Sequence, residues 1–189
     1  MNYTIILWMC WGVFLLVWLG GSIYNTLWGP KIKQKGFQSW RYWLIGLFVL
    51  YLVSKHYIHH SSWLSYRLNL PWLEIIGAIV LIISTIFTLW ARIELGVMWS
   101  SSVTVKTDHQ LRTDGPYSIT RHPIYTGMLG MLIGSTITDG VFFVIILLIT
   151  VAILLTKIRE EERMMIETFG EQYLDYKKRV PQLMPGLKW

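Results

Sequence analysis

Two short stretches carry side chains whose types and spacing suit chemistry. The first is Gly115-Pro116-Tyr117-Ser118-Ile119-Thr120-Arg121-His122-Pro123-Ile124-Tyr125-Thr126-Gly127. It opens an apolar run. Pro123 suits the first helical position, where a missing N–H costs nothing. His122 is then a candidate N-cap, with Arg121 just outside the helix. The positive end of the helix dipole and its free N–H groups favour an anionic group there, such as a carboxylate. His122 and Tyr125 are three apart and share a face. The bland alternative is a capped transmembrane helix with an interfacial Tyr and a snorkelling Arg. The second stretch is Glu160-Glu161-Glu162-Arg163, directly after another apolar run. If that helix continues, Ile158, Glu162, Met165 and Phe169 fall on one face, so Glu162 lies on the apolar side. An unpaired carboxylate there is costly, so Glu162 requires a cationic or hydrogen-bonding partner from the protein or from a ligand. Glu160 reads as solvated.

The elements that must position these residues are membrane spans. The 189 residues are 53% hydrophobic and include 11 Trp, with a mean hydropathy of +0.44. Apolar runs near 20 residues predict spans at about 5–24, 40–59, 72–91, 123–138 and 141–157. Trp and Tyr fit the aromatic belts. The first run lacks a basic leader and a small-residue cleavage site, so it reads as a span and not as a signal peptide. Residues 92–122 form a long polar segment. Asp139-Gly140 signals a turn, and residues 158–189 form a charged tail. The fourth span, at about 24 Å, falls short of a roughly 30 Å hydrocarbon core, so the last two spans read as a tight hairpin. The lone Cys10 excludes a disulfide framework and a cysteine metal site. It reads as membrane-facing filler.

Charge placement sets the orientation. Of the 17 Lys and Arg, 15 fall in the first, third and C-terminal polar segments taken with the adjoining helix ends, leaving Lys55 and Arg67 for the other side. The positive-inside rule then makes those three segments cytoplasmic. The net charge of +6 therefore does not imply nucleic acid. Gly127, Gly130 and Gly134 share one face of the fourth span, which lets a neighbouring helix approach closely. The fifth span is the expected neighbour. His56, His59 and His60 have no carboxylate or Cys beside them and read as interfacial rather than as a metal site. No ionisable group lies in the middle of a span, which argues against ion-coupled transport.

These motifs together resemble the isoprenylcysteine carboxyl methyltransferase family of integral membrane enzymes. The likeness runs through Leu95-Gly96-Val97-Met98-Trp99-Ser100, His109-Gln110-Leu111, Gly115-Pro116-Tyr117 and Arg121 to Gly127. It resumes at Glu161-Glu162, at Phe169-Gly170-Glu171-Gln172-Tyr173 and Tyr176, and at Val180-Pro181 and Pro185. It covers about half the chain. The expected fold is an all-α integral membrane protein of about five transmembrane helices, with a cytoplasmic C-terminal helical tail. Three N-terminal helices occupy 1–91, and a methyltransferase core occupies 92–189.

The resemblance implies S-adenosylmethionine as methyl donor. It assigns cofactor binding to His109, Leu111, Gly115, Tyr117, His122, Pro123, Tyr125, Glu161 and Glu162. Arg121 and Glu162 are the expected catalytic residues. Arg121 is the first choice to orient the acceptor, with Arg112 and Arg163 in reserve. The implied acceptor is lipidic or prenylated, an isoprenylcysteine-type carboxylate first, meeting a site that faces the cytoplasm from among membrane lipids. A carboxylate acceptor needs no general base, whereas an amine or phenol would need one, with His122 or Glu162 as candidates. Phospholipid N-methylation and lipid-hydroxyl O-methylation are the alternatives within methyl transfer. A nicotinamide-dependent membrane reductase and a non-catalytic membrane subunit are the readings outside it.

Overall fold

The computed structural model describes residues 3–30, 32–35, 70–99, 104–106, 111–139, 141–184 and 186. The second predicted span, the three clustered histidines and His109 lie outside the described residues. Helix α1 is Tyr3–Trp28, α2 is Pro71–Leu95, α3 is Pro123–Asp139, α4 is Val141–Phe169 and α5 is Glu171–Arg179. Strands β1, Ile32–Lys35, and β2, Thr104–Lys106, pair antiparallel. This ribbon is a departure from the all-helical expectation.

Helix α2 shows how a span is built. Leu81, Thr88 and Ala91 are fully buried, while Ile79, Ile83, Ile86 and Ile93 are at least half exposed. The exposed isoleucines are spaced four, three and seven residues apart, one helix face, and form a lipid-facing stripe. On the inner face, the Thr85 and Thr88 hydroxyls donate to the Leu81 and Ser84 carbonyls of their own helix, each at 2.7 Å. Two polar groups are thereby buried without needing partners elsewhere. Helix α1 likewise leaves Leu16, Leu19 and Ile23 outward. Helices α1 and α2 are long and apolar enough to cross a membrane, and these outward apolar faces suit lipid.

The glycine face of α3 meets α2, and not α4 as the sequence suggested. A Cβ on Gly134 would stand 2.7 Å from the Leu81 backbone nitrogen and 2.8 Å from the Gly77 carbonyl oxygen. Side chains on Gly127 and Gly130 would collide with Thr88 and Ser84. The small residues thus match small residues on both helices, the packing that lets backbones touch in a membrane. Helix α4 packs more loosely, through Phe143, Ile146 and Leu147 against the cluster of Met131 and Leu132. Cys10 packs against this same cluster, so it is core filler and does not face the lipid.

The polar segments gather at one end of the bundle. Asn25 near the end of α1 donates to the Trp99 carbonyl at 2.7 Å. The ribbon joins the segment after α1 to the segment after α2. These are two of the three segments that charge placement assigned to one side. The third arrives on α4, which runs 29 residues without a break, about 44 Å. That length carries its glutamates beyond a roughly 30 Å hydrocarbon core on a rigid element. Gly170, at φ 53, takes a left-handed turn that disfavours other residues, and α5 then folds back toward the start of α3.

Candidate functional site

The start of α3 is clasped by the chain's C-terminal segment. The Arg121 amide donates to the Pro181 carbonyl at 2.8 Å and the His122 amide to the Gln182 carbonyl at 3.2 Å. The Thr126 hydroxyl donates to the Leu183 carbonyl at 2.7 Å. The Tyr176 hydroxyl of α5 donates to the Tyr117 carbonyl at 2.6 Å. His122 occupies the N-cap position, since its carbonyl accepts the Thr126 amide. Its ring does not cap the helix. It turns toward α4.

There the two glutamates take different partners. Glu162 is a hub. Its Oε1 accepts from Arg121 Nε at 2.9 Å and Gln182 Nε2 at 3.1 Å. The same oxygen lies 2.7 Å from Arg121 Nη2 and 3.4 Å from His122 Nε2. Its Oε2 accepts from Lys177 at 2.8 Å. Burial opposes this charge, but the bonds from His122, Lys177, Arg121 and Gln182 hold the carboxyl far below its usual pKa. The apolar-face position of Glu162 therefore has a buried protein partner, as the helix spacing required.

Arg121 is equally committed. Its side chain is 1% exposed, and Nη1 donates to the carbonyls of Lys177 and Val180 at 3.2 and 2.6 Å. Every guanidinium nitrogen has a protein acceptor. This geometry suits positioning of the C-terminal segment better than contact with an acceptor.

Glu161 is less saturated. Its Oε1 accepts the Tyr125 hydroxyl at 2.5 Å and lies 3.6 Å from Lys157 Nζ. Its Oε2 lies 3.5 Å from His122 Nδ1. A carboxylate offers about four acceptor positions, so capacity remains for an ammonium or a hydroxyl. Burial again opposes the charge, while Lys157, His122 and Tyr125 lower the pKa. Lys157 Nζ also stands 5.0 Å over the Tyr125 ring. His122 and Tyr125 stack with centroids 5.6 Å apart.

Tyr117 is buried, and its hydroxyl donates to the Ala91 carbonyl at 3.4 Å. Burial, followed by the Glu161 charge, raises its pKa well above the ordinary value. Gly115 sits at φ 56, beside Trp90 and Glu94. Leu111 is half-buried, Pro123 is buried and Arg112 is exposed. Arg163 is 81% exposed and pairs with Glu167 at 3.0 Å.

Three participants were missed from sequence. Lys157 had a signal, since it stands four residues before Glu161 on one helix. Lys177 and Gln182 had none, because only the fold back through α5 brings them to Glu162.

The His122 environment sets a pH response. Burial alone would lower its pKa, but hydrogen bonds to Glu161 and Glu162 raise it above 6.5. Its contribution to stability is complete below pH 6.5 and is lost as pH rises through the higher folded value. The two glutamates, lowered from 4.5, contribute above that pH and lose their contribution as pH falls toward their folded values. Unfolding free energy in detergent is therefore expected to decline on both sides of a window from 4.5 to 6.5. His122→Gln should abolish the alkaline decline only. An unchanged alkaline decline in that variant would assign it to another group.

The family model described as the isoprenylcysteine carboxyl methyltransferase (ICMT) family matches residues 76–167. The chain is 32% identical over 141 residues to a protein-S-isoprenylcysteine O-methyltransferase of Xenopus laevis, covering 68% of this chain and 49% of the relative. It is 26% identical over 141 residues to the cobalt-zinc-cadmium resistance protein CzcN of Cupriavidus metallidurans, covering 74% and 61%. The fold is similar to the solved structure of the eukaryotic intramembrane Ras methyltransferase ICMT, with a TM-score of 0.59 at 24% identity over 81% of this chain and 55% of that one. The chain spans about half the length of the first of these relatives.

Proposed function

The chain belongs to the isoprenylcysteine carboxyl methyltransferase family, and from that premise we propose that it transfers a methyl group from S-adenosylmethionine to the carboxylate of a lipid-bearing acceptor. The isoprenylcysteine type of acceptor comes first. The site would face the cytoplasm at the polar end of the bundle. The observation that carries this reading is the contrast between the two neighbouring glutamates. Glu162 is filled by the protein, while Glu161 keeps acceptor capacity beside a lysine and an aromatic face.

The residues present fit the cofactor. Glu161 suits its ammonium or a ribose hydroxyl. His122, Pro123 and Tyr125 form the adjoining helix start, and Tyr117 and Leu111 supply apolar surface, with Gly115 beside them. His109 keeps the same expected role. S-adenosylmethionine, when bound, supplies an electrophilic methyl on a sulfonium. The acceptor carboxylate is already ionised at pH 7 and needs no base. The protein's task is then to hold two reactants in line, which lowers a barrier by several kcal/mol. Lys157 is the cation suited to orient the acceptor, because Arg121 is spent on Glu162 and two carbonyls. Both ring nitrogens of His122 face glutamate oxygens, Nδ1 toward Glu161 at 3.5 Å and Nε2 toward Glu162 at 3.4 Å, so neither is turned toward an acceptor as a general base. This favours a carboxylate acceptor over the amine of a phospholipid N-methyltransferase.

Calorimetric titration of the detergent-purified chain with S-adenosylmethionine tests the reading. Binding should weaken roughly 10- to 100-fold in Glu161→Gln, the worth of one charge-assisted hydrogen bond. A folded wild type that binds none would leave the reductase or the non-catalytic subunit.

A further inference from the structure

A cleft of about 460 Å³ opens on the side of α4 away from Glu161. Arg159, Glu162, Arg163 and Glu167 line one wall, with Lys177 and Gln182 opposite. Both carboxylates are already paired, Glu162 with Arg121 and Lys177 and Glu167 with Arg163. Arg159 has no ion pair among the described residues. The lining thus carries three cations against two carboxylates, beside Ile166 and the Gln182 amide, and Arg159 is the cation left for a ligand, with Arg163 and Lys177 shared with their carboxylates. Guanidinium groups suit phosphate oxygens, which they bind in pairs of hydrogen bonds.

Its level in the molecule says which phosphate. Arg159 follows the end of the last apolar run by two residues. Leu148, Leu155, Arg159 and Arg163 recur at seven, four and four residues, one face of α4. Leu148 is 64% and Leu155 41% exposed. An outward apolar surface thus runs along the helix straight into the cationic cleft.

We propose that this cleft binds the phosphate headgroup of an anionic phospholipid, with an acyl chain lying along Leu155 and Leu148. Basic pockets at the membrane boundary recognise such headgroups, and each Lys or Arg near an anionic surface adds attraction. Lys177 and Gln182 bond Glu162 as well as lining the cleft, so a bound headgroup touches the clasp that holds the C-terminal segment.

Native mass spectrometry of the full chain, titrated with phosphatidylglycerol and with phosphatidylcholine, tests this. Wild type should retain phosphatidylglycerol preferentially. Arg159→Gln with Arg163→Gln should reduce the preference by roughly 30-fold, the effect of two cations. Glycerol 3-phosphate at millimolar concentration should not displace the lipid. Glu167→Gln, a change at an exposed site, releases Arg163 and should strengthen the preference. Equal retention of both lipids by wild type overturns the proposal. So does a double variant that keeps the preference, an indifferent Glu167→Gln, or displacement by the soluble phosphate. The readout is retained lipid, so the outcome is independent of any methyl donor.

Discussion

Glu162→Ala is expected to destabilise the protein by about 3–5 kcal/mol, the usual cost of removing one member of a buried ion pair. The reason lies in what remains. Arg121 is 1% exposed at its side chain and cannot regain water without moving the start of α3. Lys177 is 38% exposed and can rehydrate, so most of the loss falls on Arg121 and on His122. The Gln182 amide loses its acceptor as well. Glu162→Gln keeps an oxygen for Arg121 and should fall between wild type and the alanine variant. Chemical unfolding in detergent measures both. A loss under about 1 kcal/mol for the alanine variant would mean that Arg121 reaches solvent, contrary to the closed geometry.

The same residues show what was legible in the sequence. Spacing alone put Glu162 on the apolar side of a continuing helix and called for a cationic or hydrogen-bonding partner, from the protein or from a ligand. The partner is Arg121, 41 positions away, a contact that no local rule supplies. The glycine face of α3 was legible as a close-packing surface, but its partner was not. Hairpin adjacency favoured α4. The matching small residues Gly77 and Ser84 on α2 decide the contact instead, because backbone approach needs small residues on both sides. The ribbon between Ile32–Lys35 and Thr104–Lys106 was hidden for another reason. Its strands are short and polar, without alternating apolar positions to reveal them. Charge placement nevertheless grouped both segments at one end. The first-choice acceptor cation was read from motif position, and the geometry gives Arg121 other work.

Lys157→Met is expected to lower kcat/KM for a prenylated carboxylate acceptor by roughly 10- to 100-fold, the range of one charge-assisted hydrogen bond. The proposed role predicts which constant moves. A lysine that orients the acceptor carboxylate contributes to acceptor binding, so the acceptor KM should rise. Affinity for S-adenosylmethionine should fall less than acceptor affinity, because Glu161, although it loses the Lys157 pair, keeps the Tyr125 hydroxyl and the His122 ring. Lys157→Arg retains the charge and should recover part of the activity. A merely structural lysine would behave differently. Its loss would act only through Glu161 and the Tyr125 face and would weaken cofactor and acceptor to the same degree. Titration of the cofactor beside acceptor kinetics, on the same variant, separates the two. If Lys157→Met instead left the acceptor KM unchanged, the orienting cation would have to be sought elsewhere. The exposed Arg112 would be the next residue to replace, since Arg121 could serve only by giving up Glu162.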